Sequence, residues 1–140
     1  MSHFITPTEL DTAIYSHVMN DISCSDTSVV EAAIDAAVDE VKSYLASRYD
    51  TLTIFSQTGA NRSTLIVEHC KTIAVWNLVR LSNSELVYQQ WRERYDRVVD
   101  YLKQVAAGQI TPDLPIITDN DGNPIIKSRF GSNQKFQHNY

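Results

Sequence analysis

The residues most able to carry chemistry in this 140-residue chain are scattered along it. Cys70 and His69 put a nucleophile beside a base, with Glu68 next to them, a combination that in principle supports nucleophilic catalysis. Successive side chains on a helix point in different directions, however, and no further group stands ready to orient the imidazole, so His69 reads as a structural histidine. His3, His17 and His138 lie far from it and from each other. Cys24 and Cys70 form neither a CxxC nor a Cys/His cluster, which points to small buried thiols, not to a zinc site or a disulfide framework. Asp119-Asn120-Asp121-Gly122-Asn123 superficially resembles a calcium loop. Setting Gly122 at the sixth position of an EF-hand puts Ile117 at the first, where a carboxylate is required, so the segment reads as a turn. There is no Gly-rich phosphate loop, HExxH, GxSxG or dinucleotide fingerprint. The commonest motif-bearing enzyme classes thus lack their signatures here, and no catalytic residue, metal ligand or cofactor is assigned.

Composition agrees with a single folded domain. The chain is 43% hydrophobic and 21% charged, with a formal net charge of −5, and a chain of this size buries roughly two-thirds of its unfolded surface without needing staples. The charge is unevenly placed. Residues 1–41 hold eight acids and no Lys or Arg, whereas residues 127–140 hold Lys127, Arg129 and Lys135 and no acid. Such asymmetry orients a molecule against a charged partner or a copy of itself. An acidic chain with a basic tip is a poor match to DNA phosphates, and Arg92, Arg94 and Arg97 are interleaved with acids, so sequence-specific nucleic-acid binding is not expected. Neither a leader peptide nor an apolar run of about 18 residues is apparent, so secretion and membrane spanning are not expected.

The elements that would position these groups are mostly helical. Thr6-Pro7-Thr8-Glu9 has the form of a capping box with Pro at the first helical position, predicting a short helix to about Met19. Ser28-Val29-Val30-Glu31 repeats that logic, and Val30, Ile34, Ala37, Val38, Val41 and Leu45 keep one face apolar as far as Tyr49. Thr51-Leu52-Thr53-Ile54-Phe55 alternates like a short strand, inside a long connection over 50–61. A third helix follows from Leu65 to Val79, apolar nearly all round over 73–79 and therefore central. Ser82-Asn83-Ser84-Glu85 opens a fourth, with Val87, Trp91, Tyr95, Val98, Leu102 and Val105 inward and Gly108 as its stop. Its charged face includes Glu93 and Arg97 in the favourable i,i+4 order.

Beyond Pro112 the pattern changes. Pro115-Ile116-Ile117-Thr118 and Pro124-Ile125-Ile126-Lys127 flank the Asp119–Asn123 turn, a hairpin signature, and a lone hairpin is marginal in water. The expected fold is all-α: a small four-helix bundle over 1–112, with a long loop between its second and third helices, and an extended arm over 113–140 ordered by a partner or neighbouring subunit. The contact residues of that arm are Ile116, Ile117, Ile125, Ile126, Lys127, Arg129, Phe130, Phe136 and Tyr140. Glu31, Asp35, Asp39 and Glu40 form an acidic helix face suited to meeting the basic tip of the arm.

Four stretches in this order resemble the head-tail connector, or adaptor, proteins of tailed bacteriophages. They are Phe4-Ile5-Thr6-Pro7-Thr8-Glu9-Leu10, the end of the acidic helix at Tyr44-Leu45-Ala46-Ser47-Arg48-Tyr49, the apolar third helix, and Arg94-Tyr95-Asp96-Arg97-Val98-Val99-Asp100-Tyr101-Leu102 leading to Ala106-Ala107-Gly108. The resemblance spans about residues 4–112. It implies an all-helical subunit without enzymatic activity that joins neighbouring copies in a dodecameric ring beneath the portal protein. Such a ring sits at the virion neck, contacts a tail-side neck protein and lets DNA pass through it, and the resemblance would make Glu31, Asp35, Asp39 and Glu40 a face lining that DNA channel or meeting a neighbouring subunit. The alternative of another class is a cytoplasmic helical regulatory or inhibitor module that binds a protein partner through the same arm.

Overall fold

The computed structural model describes residues 4–14, 18, 26–81 and 85–125. Among these are four α-helices, α1 (Thr27–Leu45), α2 (Thr51–Ser56), α3 (Thr64–Val79) and α4 (Glu85–Ala107), with 3-10 turns at Pro7–Thr12 and Gly59–Asn61. The all-α expectation holds. Predicted contacts at Ile126, Lys127, Arg129, Phe130, Phe136 and Tyr140 lie outside the described residues, as do Cys24, His3, His17, His138, the cap at 82–84 and the end of the first predicted helix at Met19.

Helix starts follow local hydrogen bonding. The first element is the 3-10 turn Pro7–Thr12 and not an α-helix over that stretch; the Thr6 N–H donates to Glu9 Oε2 at 2.8 Å, as the capping pattern predicts. α1 starts earlier than Ser28, because Asp26 is its cap: the Asp26 Oδ1 accepts from the Ser28 N–H at 2.9 Å and from the Ser28 hydroxyl at 2.7 Å. The predicted strand at 51–55 is instead α2. Asp50 accepts from the Thr53 N–H at 3.2 Å and from the Thr53 hydroxyl at 2.6 Å, a cap that outweighs the β-branched alternation of so short a run.

The core forms around α3, which packs against both α1 and α4. Ile73, Ala74 and Val75 are all fully buried; three successive residues cover most of a helix circumference, so α3 is enclosed as its composition predicts. α1 contributes Ile34, Ala37, Val41 and Leu45, and α4 contributes Trp91, Val98, Leu102 and Val105. At the start of α3 Leu65 is 40% exposed, whereas Ile66 and Val67 are buried. The Asn77 amide donates to the Ala33 carbonyl at 3.2 Å, tying α3 to α1.

α1 ends at Leu45, short of the predicted Tyr49, whose backbone turns to pair antiparallel with Ile116. The Asp50 N–H donates to the Pro115 carbonyl at 2.8 Å and the Ile117 N–H to the Arg48 carbonyl at 3.3 Å. The predicted hairpin turn is formed. The Ile125 N–H donates to the Ile117 carbonyl and the Asp119 N–H to the Asn123 carbonyl, both at 2.8 Å, and Gly122 sits at φ +81°, where a side chain would be strained. Asp119 Oδ1 accepts from the Asp121 and Asn123 N–H groups, so the carboxylate serves the turn.

Candidate functional site

Two arginines bring the sequence stretches singled out above into contact, and both work through backbone carbonyls. Arg48, four residues past the start of its stretch, donates from Nε to the Ala106 carbonyl at 3.1 Å and from Nη2 to the Ala107 carbonyl at 3.4 Å. These carbonyls belong to the open C-terminal end of α4, where a cation also complements the helix dipole. The chain leaves that end through Gly108 at φ +80°, and a Cβ there would stand 2.7 Å from the Arg48 guanidinium. The backbone angle favours glycine, and a side chain here would also displace the arginine head from its place over the helix end.

Arg62 does the same for the N-terminal stretch. It donates to the Phe4 carbonyl at 2.7 Å and pairs with Glu9 at 2.5 Å, while its Nε reaches the Gly59 carbonyl at 2.9 Å. The guanidinium lies 5.9 Å from the Phe4 ring centroid, and Phe4 packs edge-on against Phe55 at 4.8 Å. Hydrogen bonding from Arg62 holds the Glu9 carboxyl down at about 2. The long connection over 50–62 is therefore the seat of the N-terminal segment, and that is why it carries a short helix and a 3-10 turn of its own. Lys71, buried in α3, fixes the far end of the turn by donating to the Thr12 hydroxyl at 3.0 Å and to Glu68 at 3.2 Å.

Of the residues considered for chemistry, Cys70 lies in the core and His69 beside it, while Glu68 is exposed. Cys70 is fully buried and desolvation pushes its thiol up to about 12, which removes it as a nucleophile near neutral pH. His69 is half-buried, its ring 4.9 Å from that of Tyr101, and its Nε2 is enclosed without a hydrogen-bond partner. Burial lowers its pKa, against the opposing pull of Glu68. Across the bundle, the Tyr95 hydroxyl donates to Glu40 Oε1 at 2.6 Å and its ring stacks on Trp76 at 5.5 Å. Desolvation, then the bond to Glu40, raises the Tyr95 phenol.

The acidic face divides on inspection. Glu40 is engaged with Tyr95, Glu31 is half-buried, and Asp35 and Asp39 are exposed on the outer side of α1. On the arm, Ile116 and Ile125 are exposed and Ile117 is half-buried. The expected Glu93–Arg97 pair does not form an ion pair; Arg94 instead lies 4.6 Å above the Trp91 ring. Sequence reasoning missed Arg62, Arg48 as a cap, and Leu52, which is 82% exposed on α2. A groove of about 570 Å³, also missed, lies between the C-terminal ends of α1 and α4, lined by Ser43, Tyr44, Ser47, Arg48, Lys103 and Ala106 among others. Four of these, Tyr44, Ser47, Arg48 and Ala106, fall within stretches already singled out, a signal that their spacing alone did not convert into a contact.

What the fold defines is a small helical protein whose distinctive polar groups lock segments together and leave exposed apolar and charged surfaces. Residues 3–124 match the family described as bacteriophage Mu, Gp36, and the chain belongs to that family. It is thus a phage protein. No curated protein and no solved structure matches the chain.

Proposed function

We propose that the chain is a structural, non-catalytic head-tail connector subunit that forms a ring beneath the portal protein and bridges capsid and tail around the DNA channel. The observation that supports this most is the extent of the phage-family match, residues 3–124, which takes in all four connector-like stretches and the hairpin turn. Family membership gives the phage context, and the resemblance of those stretches to connector proteins gives the neck location and the ring.

The structure suggests how such a subunit works. Arg48 and Arg62 give a stiff helical body, the unit from which a ring wall is built. A ring needs a heterologous contact in which one patch meets a different patch on the next copy. Ile116 and Ile125 on the arm, exposed at 45% and 42%, offer one such apolar patch for a neighbouring copy or the portal protein. Deleting residues 113–140 is expected to leave a soluble helical protein that no longer assembles. Normal rings from the shortened chain would refute the role given to the arm, and binding of the full chain to a non-virion protein through that arm would favour the regulatory module.

A further inference from the structure

We propose that the hairpin turn of one copy, with Asp121 at its tip, docks into the groove between the C-terminal ends of α1 and α4 of a second copy. This deepens the connector reading and rests on it for the closing of a ring; the contact itself needs only two copies of the chain. The groove, of about 570 Å³, falls in the size range of pockets that hold a small ligand. It is cationic. Arg48 and Lys103 line it, no acid stands among its described lining residues, and Ser43, Ser47 and Tyr44 bring hydroxyl groups to its wall. Arg48 directs Nε and Nη2 to the end of α4, while Lys103 is exposed and makes no ion pair among the described residues. Ala106 and Ala107 keep the α4 side of the groove low, so that a turn of chain can approach it closely.

Three observations choose the occupant. The first is charge: residues 113–125 hold Asp113, Asp119 and Asp121 and no base, the complement of the groove. The second is presentation. Asp119 Oδ1 accepts from the Asp121 and Asn123 N–H groups, and the Gly122 N–H donates to the Asp119 carbonyl at 3.0 Å, so the turn is held in one shape. The Asp121 carboxylate is left without an ion pair among the described residues. The third is position. Every residue over 118–125 is exposed, a Cβ on Gly122 would meet nothing within 4 Å, and the arm supplies no described residue to the lining of its own groove. The anchor of the arm, the Ile117 N–H on the Arg48 carbonyl, lies four residues before Asp121, about 13 Å of strand. An acidic projection and a cationic groove are thus two different patches of one chain, the condition for a head-to-side contact that repeats from copy to copy. Ile116 and Ile125, exposed on the same hairpin, supply the apolar area that surface ion pairs alone do not.

The test uses the full chain, with equal amounts of unlabelled and ¹⁵N-labelled protein mixed at low salt and about 1 mM, where even a millimolar contact is populated, and joined by a zero-length carbodiimide. Expected are amide links from Lys103 to Asp119 or Asp121, about half of them between peptides of different isotope, falling several-fold at about 0.5 M salt. Links within one isotope only would seat the turn in its own groove, and links from Lys103 to other acids alone would give the groove another occupant; either result overturns the proposal, as does the absence of links. In sedimentation equilibrium, Lys103→Glu and Asp121→Lys are each expected to weaken self-association several-fold, and an equal mixture of the two variants to recover it, because contacts between unlike variants again join opposite charges. Unchanged association of the single variants, or no recovery on mixing, overturns the proposal. If both variants still add a full ring to a portal protein from the same phage, the connector reading stands and this contact falls. If the links and the recovery are found in a chain that adds nothing to the portal, the contact stands and that reading falls.

Discussion

Glu9 and Arg62 meet across 53 positions of sequence, and their pairing makes a prediction about pH. The folded-state carboxyl titrates at about 2 against an ordinary 4.5, so the pair contributes stability above 4.5 and loses it as the pH falls toward 2. The pair is partly open to water, which limits its worth to about 1 kcal/mol. Denaturant unfolding of the wild type and Glu9→Gln is expected to differ by about that amount at pH 7 and to converge near pH 2. His69 has the opposite chemistry and its own window. Its folded pKa lies below the ordinary 6.5, so the unfolded chain takes the proton first and stability declines as the pH drops through 6.5. His69→Phe keeps a ring beside Tyr101 and removes this term; its stability should change less than that of the wild type between pH 7 and 5. Equal slopes would contradict the burial account. Cys70 should resist alkylation in the native protein and react on unfolding, as mass spectrometry of Cys70-containing peptides would record. The burial of Cys70 was legible from its place in an apolar helix, but the roles of Arg48 and Arg62 were not. An arginine that bonds to carbonyls nearly 60 residues away leaves no periodic trace.

Local patterns reported the elements unevenly. The three long helices follow from apolar spacing because each has enough turns for a face to repeat, and Gly108 marked the end of α4 through its φ of +80°. α2 went unseen since six residues are too few for a helical period, and its alternation of Thr with Leu and Ile looks like a strand until Asp50 is recognised as a cap. The N-cap of α1 lay two residues ahead of the predicted one for a similar reason: Asp26 and Ser28 are both competent caps, and their mutual bond selects the former. The junction of α1 and α4 yields a sharper test. Gly108→Ala is expected to cost about 1–2 kcal/mol, partly from the positive φ and partly from the 2.7 Å approach to Arg48. Arg48→Ala should cost about 1 kcal/mol by releasing two carbonyls at the end of α4. In the Arg48→Ala background the glycine substitution should cost less, since only the backbone strain remains. Strict additivity in thermal unfolding would show that the arginine does not occupy the space assigned to it.

For the molecule as a whole, the enclosed α3 could be read from residues 73–79, and so could a tail end different in character from the body. What could not be read was that the arm starts by pairing with residues 48–50, so that the hairpin is anchored to the bundle before any partner is met. Sequence supplies no distance between Tyr49 and Ile116. Leu52 is another whole-molecule matter: an 82% exposed leucine contributes little to folding, so Leu52→Ser should change stability by no more than about 0.5 kcal/mol. If α2 faces a neighbouring copy, the same substitution should still weaken assembly, which sedimentation of the complex would detect.

The central claim is that these surfaces exist to build a neck ring. It is tested most directly by the native mass of the protein, alone and mixed with a portal protein from the same phage. The connector account predicts a complex heavier than the portal by a ring's worth of copies, whatever the state of the free chain. A portal whose mass is unchanged by the protein would contradict it.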